Sequence, residues 1–239
     1  MTITAPRLSD AALAFVDQFA KEAKHAFAVL RAGGTLTANG TFFVVQRVEG
    51  DEDRFVLLAD PGLWSIDGAL NPVVRDRAGE VYLGEKAVPD AFGFIEVLAQ
   101  RPEFTTAIHV HSPYLGAWSQ THRTFPITYV PAQRTTLARE LPVYIDRTQG
   151  HGDFILEELA KNPEIPGILE ANGGSSFWGR DGFLRTARYI ELIEEGARLQ
   201  TTAVALGGSQ EYGPGVLSQQ WKMGGIYDRA KSLGILPEE

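Results

Sequence analysis

The chain contains no cysteine and no apolar run long enough to cross a membrane. The absence of cysteine among its 239 residues excludes disulfides, thiolate zinc sites and cysteine nucleophiles. The first ten residues lack the basic start and the apolar core of a signal peptide. No segment approaches the roughly 18 consecutive apolar residues of a membrane-spanning helix. We therefore expect a cytoplasmic protein with no membrane partner.

Positive charge is also scarce. The 22 Lys and Arg residues face 30 Asp and Glu residues, which gives a formal net charge of −8. An acidic surface argues against nucleic acid and anionic membranes as partners. The hydrophobic fraction of 44% is enough to bury a substantial core. We expect residues 1–239 to form a single domain.

Helical and strand patterns alternate along the chain and predict an α/β fold with a central sheet flanked by helices. The helical patterns lie at residues 9–31, 90–100, 153–161 and 180–204. The strand patterns lie at residues 41–48, 54–58, 106–110, 126–130 and 165–170. The glycine-rich tail from residue 207 is expected to be too loose to form a core. We expect it to reach a neighbouring subunit and to end in a short helix from about residue 218.

His109 and His111 lie on either side of Val110 at the end of a predicted strand. Alternate side chains of a strand point to the same face, so the two imidazoles are expected to converge. Two convergent neutral imidazoles suit zinc, iron or a similar metal. Two histidines at a strand end serve equally well as hydrogen-bonding groups in a loop, so the spacing alone leaves both interpretations open.

Residues 109–114, with the sequence HVHSPY, resemble the metal-binding strand-to-helix turn of the class II aldolase/adducin family. Two further segments occur in matching order: the glycine turn at residues 33–37 and the stretch ILEANGGSSFWG at residues 168–179. The resemblance covers about residues 10–205. It implies a three-layer α/β/α fold with a central, mainly antiparallel sheet, and usually a homotetramer with active sites between subunits.

The third metal ligand of that family is missing. The family usually supplies a histidine from a His-Gly pair, and this chain has Gly173 at that position. Asp90 lies 109 − 90 = 19 residues before His109 and resembles the aspartate that contacts the metal in the family's ribulose-phosphate epimerases. In the aldolases a glutamate at this spacing is the catalytic acid/base. Asp90 fits a helix N-cap equally well. The alternative third ligands are His151, His122 and Glu170.

The phosphate-binding groups of the family are altered as well. Val88 and Pro89 replace a serine pair, Asp60 and Pro61 begin a turn that otherwise carries Ser or Thr before glycine, and Thr35 replaces an asparagine. An aspartate repels phosphate and a proline lacks an N–H donor, so a phosphorylated sugar is not expected. Aromatic residues near the same segments favour an aromatic substrate, although the core is the commoner place for them. These residues are Phe42, Phe43, Trp64, Phe92, Phe94, Trp118, Phe177 and Trp178.

The combination resembles one branch of the family, the non-haem iron oxygenases of aminocoumarin antibiotic biosynthesis. They oxidatively decarboxylate a prenylated 4-hydroxyphenylpyruvate to the mandelate and then to the benzoate. The resemblance implies an Fe(II)-dependent oxygenase acting on an aryl 2-oxo or 2-hydroxy acid with dioxygen, and His109, His111 and Asp90 as ligands. Asp90, Tyr129 and Tyr212 are the candidate catalytic residues. The two tyrosines would be donors across a subunit interface, and both fit core positions equally.

Two other functions stay open at this point. The first is a Zn- or Mn-dependent aldolase, epimerase or decarboxylase, for which Lewis acidity suffices. The second is a metal-free scaffold similar to the adducin head. Arg134 or Arg180 would pair with a substrate carboxylate, or would lie in surface salt bridges.

Overall fold

The computed structural model describes residues 8–37, 41–84 and 89–237. The strands are β1 Phe42–Val48, β2 Asp51–Ala59, β3 Val73–Asp76, β4 Val81–Leu83, β5 Thr106–Val110, β6 Phe125–Pro126, β7 Glu140–Leu141, β8 Val143–Tyr144, β9 Gly167–Glu170 and β10 Ser175–Gly179. The helices are α1 Asp10–Ala32, α2 Phe94–Gln100, α3 Pro113–Ser119, α4 Val130–Gln133, α5 His151–Lys161, α6 Phe183–Ala203, α7 Pro214–Gly224 and α8 Tyr227–Ser232.

Eight strands form the main sheet in the order β4-β3-β2-β1-β5-β10-β9-β8, while β6 and β7 form a separate pair. Only β8 and β9 run parallel; the other neighbours in the main sheet are antiparallel. The predicted α/β fold with a mainly antiparallel central sheet is confirmed. The predictions of a single domain and of a cytoplasmic location stay predictions. Within the described ranges, no helix is long and apolar enough to cross a bilayer.

Helices cover both faces of the sheet, as two neighbouring residues of β1 show. Phe42 packs edge-on against Phe27 of α1 and Phe183 of α6. Phe43, one residue later, stacks against Phe94 of α2. Successive side chains of a strand point to opposite faces, so α1 and α6 cover one face and α2 covers the other. α5 packs beside α2.

Several predicted elements differ from the structure in their bounds, and two of these differences have a clear cause. The strand predicted at residues 126–130 is wrong, because β6 ends at Pro126 and α4 begins at Val130, with a proline in its first turn. The helix predicted at residues 90–100 begins only at Phe94. Gly93, the residue directly before this helix, has a φ of 67°, a left-handed conformation that cannot belong to a right-handed helix.

The C-terminal tail packs on its own chain, which corrects the expectation that it is too loose to form a core. Trp221 of α7 is 1% exposed and donates from its indole nitrogen to the carbonyl of Thr136. It forms a second apolar cluster with Leu137 and Leu217. A Cβ on Gly224 would lie 1.9 Å from the carbonyl oxygen of Arg134, so glycine is required for this close approach.

Candidate metal centre

His109 lies in the middle of the sheet and is 1% exposed. It faces Phe43 of β1 and Ser176 of β10 in the strand register. The ring of Phe92 stacks on its imidazole, with centroids 4.0 Å apart. The position of His109 is therefore fixed by the sheet, and its ring lies on the face covered by α2 and α5.

A buried carboxylate orients the ring of His109. Oε1 of Glu170, on β9, lies 2.8 Å from His109 Nδ1, and Ser176 Oγ lies 3.1 Å from the same nitrogen. An ionised carboxylate only accepts, so the pattern places the proton of His109 on Nδ1 and leaves the lone pair on Nε2. Metal-binding histidines are commonly oriented by a carboxylate in this way.

The same carboxylate oxygen engages His151 at the start of α5. Its Nε2 lies 2.9 Å from Glu170 Oε1, and its Nδ1 lies 3.0 Å from the carbonyl oxygen of Phe92. Each nitrogen thus faces an oxygen acceptor, and neither presents a free lone pair. The prediction of His151 as third ligand stays untested, and this arrangement does not favour it.

Glu170 is held in its ionised form. Burial favours the neutral carboxyl, but the hydrogen bonds from His109 and His151 outweigh it and hold the pKa of Glu170 well below its usual range. The side chain is 8% exposed. Glu170 therefore holds the imidazole rings of His109 and His151 through hydrogen bonds rather than serving as an unpaired carboxylate.

His111 follows β5 and is half-buried, with its ring centroid 5.0 Å from that of His109. Burial is the main cause that lowers the pKa of His111; the charge of Arg147 adds to it and that of Glu170 opposes it. A lowered pKa keeps this imidazole neutral near pH 7, which is the form that binds metals. The predicted convergence of the two rings is present in the structure.

The backbone after His111 is fixed by a buried carboxylate that sequence reasoning missed. Glu194 of α6 accepts from the hydroxyl of Ser112 at 2.8 Å and from the backbone N–H groups of Tyr114 and Leu115 at 2.7 and 2.9 Å. It caps the first turn of α3 from another helix. Glu194 lies 82 residues after Ser112, so no local pattern indicates this contact.

Asp90 caps a helix in this structure. Its two carboxylate oxygens accept the backbone N–H groups of Phe94 and Ile95 at 2.9 and 2.7 Å. Its role as metal ligand or catalytic acid/base stays a prediction that this geometry does not favour. Over the ranges 8–37, 41–84 and 89–237, no group of three or more His, Asp or Glu residues is arranged to hold a metal.

The position of the missing histidine lies beside an arginine. A Cβ built on Gly173 would lie 3.1 Å from Nη2 of Arg147, in the loop between β8 and α5. A Cβ on the next residue, Gly174, would lie 2.5 Å from Cδ2 of His111 and 3.0 Å from Cε1 of His109. The turn between β9 and β10 therefore closes directly against the histidine pair.

Other candidate residues contact different parts of the chain. Nε2 of His122 lies 2.6 Å from Oδ1 of Asn172, and His122 is exposed. The Tyr129 side chain packs on α6, where a Cβ at Gly196 would lie 2.8 Å from it. The hydroxyl of Tyr212 accepts a hydrogen bond from Nη1 of Arg139 at 2.5 Å. The predicted catalytic roles of Tyr129 and Tyr212 stay predictions.

The aromatic residues divide between core, surface and site. Phe177 and Trp178 are buried in the core, whereas Trp64 is 89% exposed. Phe92 alone among the predicted pocket aromatics stacks on a histidine of the pair; Phe43 and Phe94 extend the stack behind it. Fewer aromatic residues therefore lie beside the histidine pair than the sequence analysis predicts.

The altered phosphate-binding segments are only partly described. Asp60 is buried and pairs with Arg31, so its charge is neutralised within the protein. Thr35 is 2% exposed. Val88 lies outside the described residues. The repulsion of phosphate that the sequence analysis expected from Asp60 is therefore corrected, because Arg31 balances this carboxylate.

The sheet order, the histidine pair and the turn beside it together define a class of protein. Residues 65–201 match the model of the Class II Aldolase and Adducin N-terminal domain, which is more than half of the chain. The chain belongs to this family.

Individual relatives agree with this assignment. The chain is 31% identical over 106 residues to methylthioribulose-1-phosphate dehydratase of Persephonella marina, a match that covers 40% of the chain and 48% of that relative. The alignment thus spans about half of the curated relative. L-fuculose 1-phosphate aldolase from Glaciozyma antarctica PI12 has a TM-score of 0.64 at 16% identity, covering 98% of this chain and 93% of that one. An aldolase II superfamily protein from Pseudomonas syringae has a TM-score of 0.63 at 16% identity, covering 95% and 93%.

Proposed function

We propose that the chain is a metal-dependent enzyme that acts on a non-phosphorylated aryl 2-oxo or 2-hydroxy acid. In its specific form, the metal is Fe(II) and the reaction is an oxidative decarboxylation with dioxygen. Membership in a family whose named relatives include an aldolase and a dehydratase supports enzymatic activity. The specific reaction is our hypothesis.

The observation that carries the hypothesis is the replacement of the third histidine by Gly173 beside an intact pair, His109 and His111. Two imidazoles leave more coordination positions open than three. A bidentate acid and dioxygen need those positions, whereas an aldolase needs only one Lewis-acidic contact.

Two features of the histidine pair would suit a metal. Glu170 orients His109 so that Nε2 carries the lone pair, and the lowered pKa of His111 keeps that ring neutral. His109 and His111 would hold the ion, and bound Fe(II) would supply the redox chemistry. Phe92 covers one face of His109 and restricts water on that side.

The proposed reaction balances with dioxygen as the only oxidant. An aryl pyruvate and one O₂ give an aryl hydroxyacetate and CO₂. The bond between the carboxylate and the 2-oxo carbon breaks. One oxygen atom enters the new carboxylate at the former 2-oxo carbon, and the other enters the hydroxyl on the carbon that bears the ring. No external 2-oxo acid is required.

A Zn- or Mn-dependent aldolase, epimerase or decarboxylase is the second candidate. The named relatives favour it, because they are an aldolase and a dehydratase of phosphorylated sugars. A metal-free scaffold similar to adducin is the third, and the missing histidine favours it. The two enzyme hypotheses share the histidine pair and differ in the metal and the need for dioxygen.

Metal analysis and oxygen uptake separate the three. Protein reconstituted with Fe(II) without air is given 4-hydroxyphenylpyruvate, plain or prenylated, in an oxygen electrode, with CO₂ measured in parallel. We expect one CO₂ per O₂ and no activity with zinc. Zinc-dependent carbon–carbon cleavage without oxygen uptake would support the lyase, and absence of metal binding would support the scaffold.

A further inference from the structure

The space beside the histidine pair that a third histidine would enter is taken by a guanidinium group. Arg147 Nη2 lies 3.1 Å from where the Cβ of a residue at position 173 would be. Gly173 has no positive φ, so its backbone accepts a side chain. The position without a side chain thus lies next to a positive charge.

Arg147 is poorly satisfied within the chain. Its one hydrogen bond in the described structure is a long contact of 3.4 Å from Nη2 to the carbonyl of Ala171. Among the residues with described positions, no carboxylate lies within ion-pair distance of it. A guanidinium has five N–H donors in a planar fork, so most of those of Arg147 have no partner among the described residues.

The arginines suggested by the sequence are occupied elsewhere. Arg134 donates to Gln220 of α7 at 2.9 Å. Arg180 lies 3.7 Å from Glu164 and above the ring of Phe104. Both are thus engaged by other parts of the chain, whereas Arg147 is exposed and lies beside Gly173, the neighbour of the glycine that closes against His111.

We infer that Arg147 binds the carboxylate of an acidic substrate next to His111. A planar carboxylate matches the guanidinium fork in a bidentate pair, and a phosphate can bind the same fork. This inference rests on the proposed acid substrate and names the residue that selects it. Beside the position where the family has a metal-binding histidine, Arg147 would thus provide a group that binds the substrate.

The test measures binding rather than turnover. Phenylpyruvate, its methyl ester and phenyl phosphate are titrated calorimetrically into metal-free and zinc-loaded protein, which cannot reduce dioxygen. We expect the acid to bind more tightly than the ester, and Arg147→Gln to weaken the acid about tenfold while leaving the ester unchanged. Arg147→Lys should recover part of the loss, because it keeps the charge without the fork.

Two variants control for unrelated effects. Arg185→Gln removes an exposed arginine of α6 whose nearest carboxylate, Asp181, lies at 3.6 Å, and it should change nothing. Gly173→His should displace Arg147, weaken the acid and tighten zinc, whereas Gly173→Ala adds only a Cβ that Arg147 can accommodate.

Each outcome decides the inference. Equal binding of acid and ester in the wild type, or an unchanged acid affinity in Arg147→Gln, overturns it. If the affinity for phenyl phosphate depends on Arg147 and the affinity for the acid does not, the residue binds a phosphate instead, and the inference is likewise overturned. Arg147-dependent acid binding without oxygen uptake upholds the inference and refutes only the oxygenase reaction.

Discussion

Replacing Glu170 by glutamine tests whether this carboxylate organises the metal site. In the folded protein, Glu170 Oε1 accepts from His109 Nδ1 at 2.8 Å and from His151 Nε2 at 2.9 Å. Glutamine has nearly the same shape but no charge. The variant therefore keeps the packing and removes the charge that holds both rings.

The magnitude follows from these two bonds. A hydrogen bond to a charged group contributes about 1.5–3 kcal/mol and a neutral one about 0.5–1.5 kcal/mol. A neutral acceptor therefore costs about 1 kcal/mol per bond, and Glu170→Gln should lower the free energy of unfolding by about 2 kcal/mol. Metal affinity should fall at least about tenfold, because a neutral acceptor fixes the proton on His109 Nδ1 less firmly than a carboxylate does.

The stability difference should depend on pH with a definite sign. The pKa of Glu170 in the folded protein lies below its ordinary value of 4.5. Its contribution is therefore fully present above pH 4.5 and is lost as the pH falls through the lower folded pKa. Wild type and Glu170→Gln should differ most near neutral pH and converge in acid.

The assays are urea unfolding at several pH values and zinc titration of the metal-free protein. Glu157→Gln is the matched control, since Glu157 is an exposed carboxylate of α5 paired with Lys161. It should affect neither measurement. Glu170→Gln protein with wild-type zinc affinity would show that the carboxylate does not orient His109, and the proposed arrangement of the site would be refuted.

Three further predictions concern the ligands and the assembly. Replacing His109 and His111 together by alanine should abolish binding of about one transition metal per chain, which metal analysis checks; full occupancy would refute the site. Asp90→Ala should lower stability by about 1 kcal/mol in urea unfolding and leave metal affinity unchanged, because it removes a helix cap; a large loss of affinity would instead make Asp90 a ligand. Light scattering should show a homotetramer at micromolar concentration, and a monomer would contradict the family-based expectation.

The histidine pair was predictable because its geometry depends only on strand alternation. The convergence of His109 and His111 could be inferred from the predicted strand alone, without information about the rest of the chain. The fold was predictable because the segments at residues 33–37, 109–114 and 168–179 resemble motifs of the family and occur in matching order. The strand at residues 126–130 failed because apolar character alone does not separate a strand from a short helix.

The groups that support the pair were beyond sequence reasoning. Glu170 and Ser176 reach His109 only through the register of β5, β10 and β9. Glu170 was recognised as a candidate ligand, but its engagement with both His109 and His151 depends on tertiary structure. Arg147 lies in a connecting loop without a pattern, and only its distance from Gly173 shows its relevance.

The two adjacent glycines of the turn before β10 differ in what they require, and this difference bears on the chemistry. Gly174 cannot carry a side chain, because its Cβ would lie 2.5 Å from both His111 Cδ2 and the carbonyl oxygen of Val110. Gly173 meets no such obstacle: the nearest atom is the movable end of Arg147 at 3.1 Å, and its φ is not positive. Backbone and packing therefore explain the glycine at 174 but not the one at 173. The backbone would accept a Cβ at position 173, so the turn itself does not require glycine there, and the side chain that a larger residue would meet is Arg147.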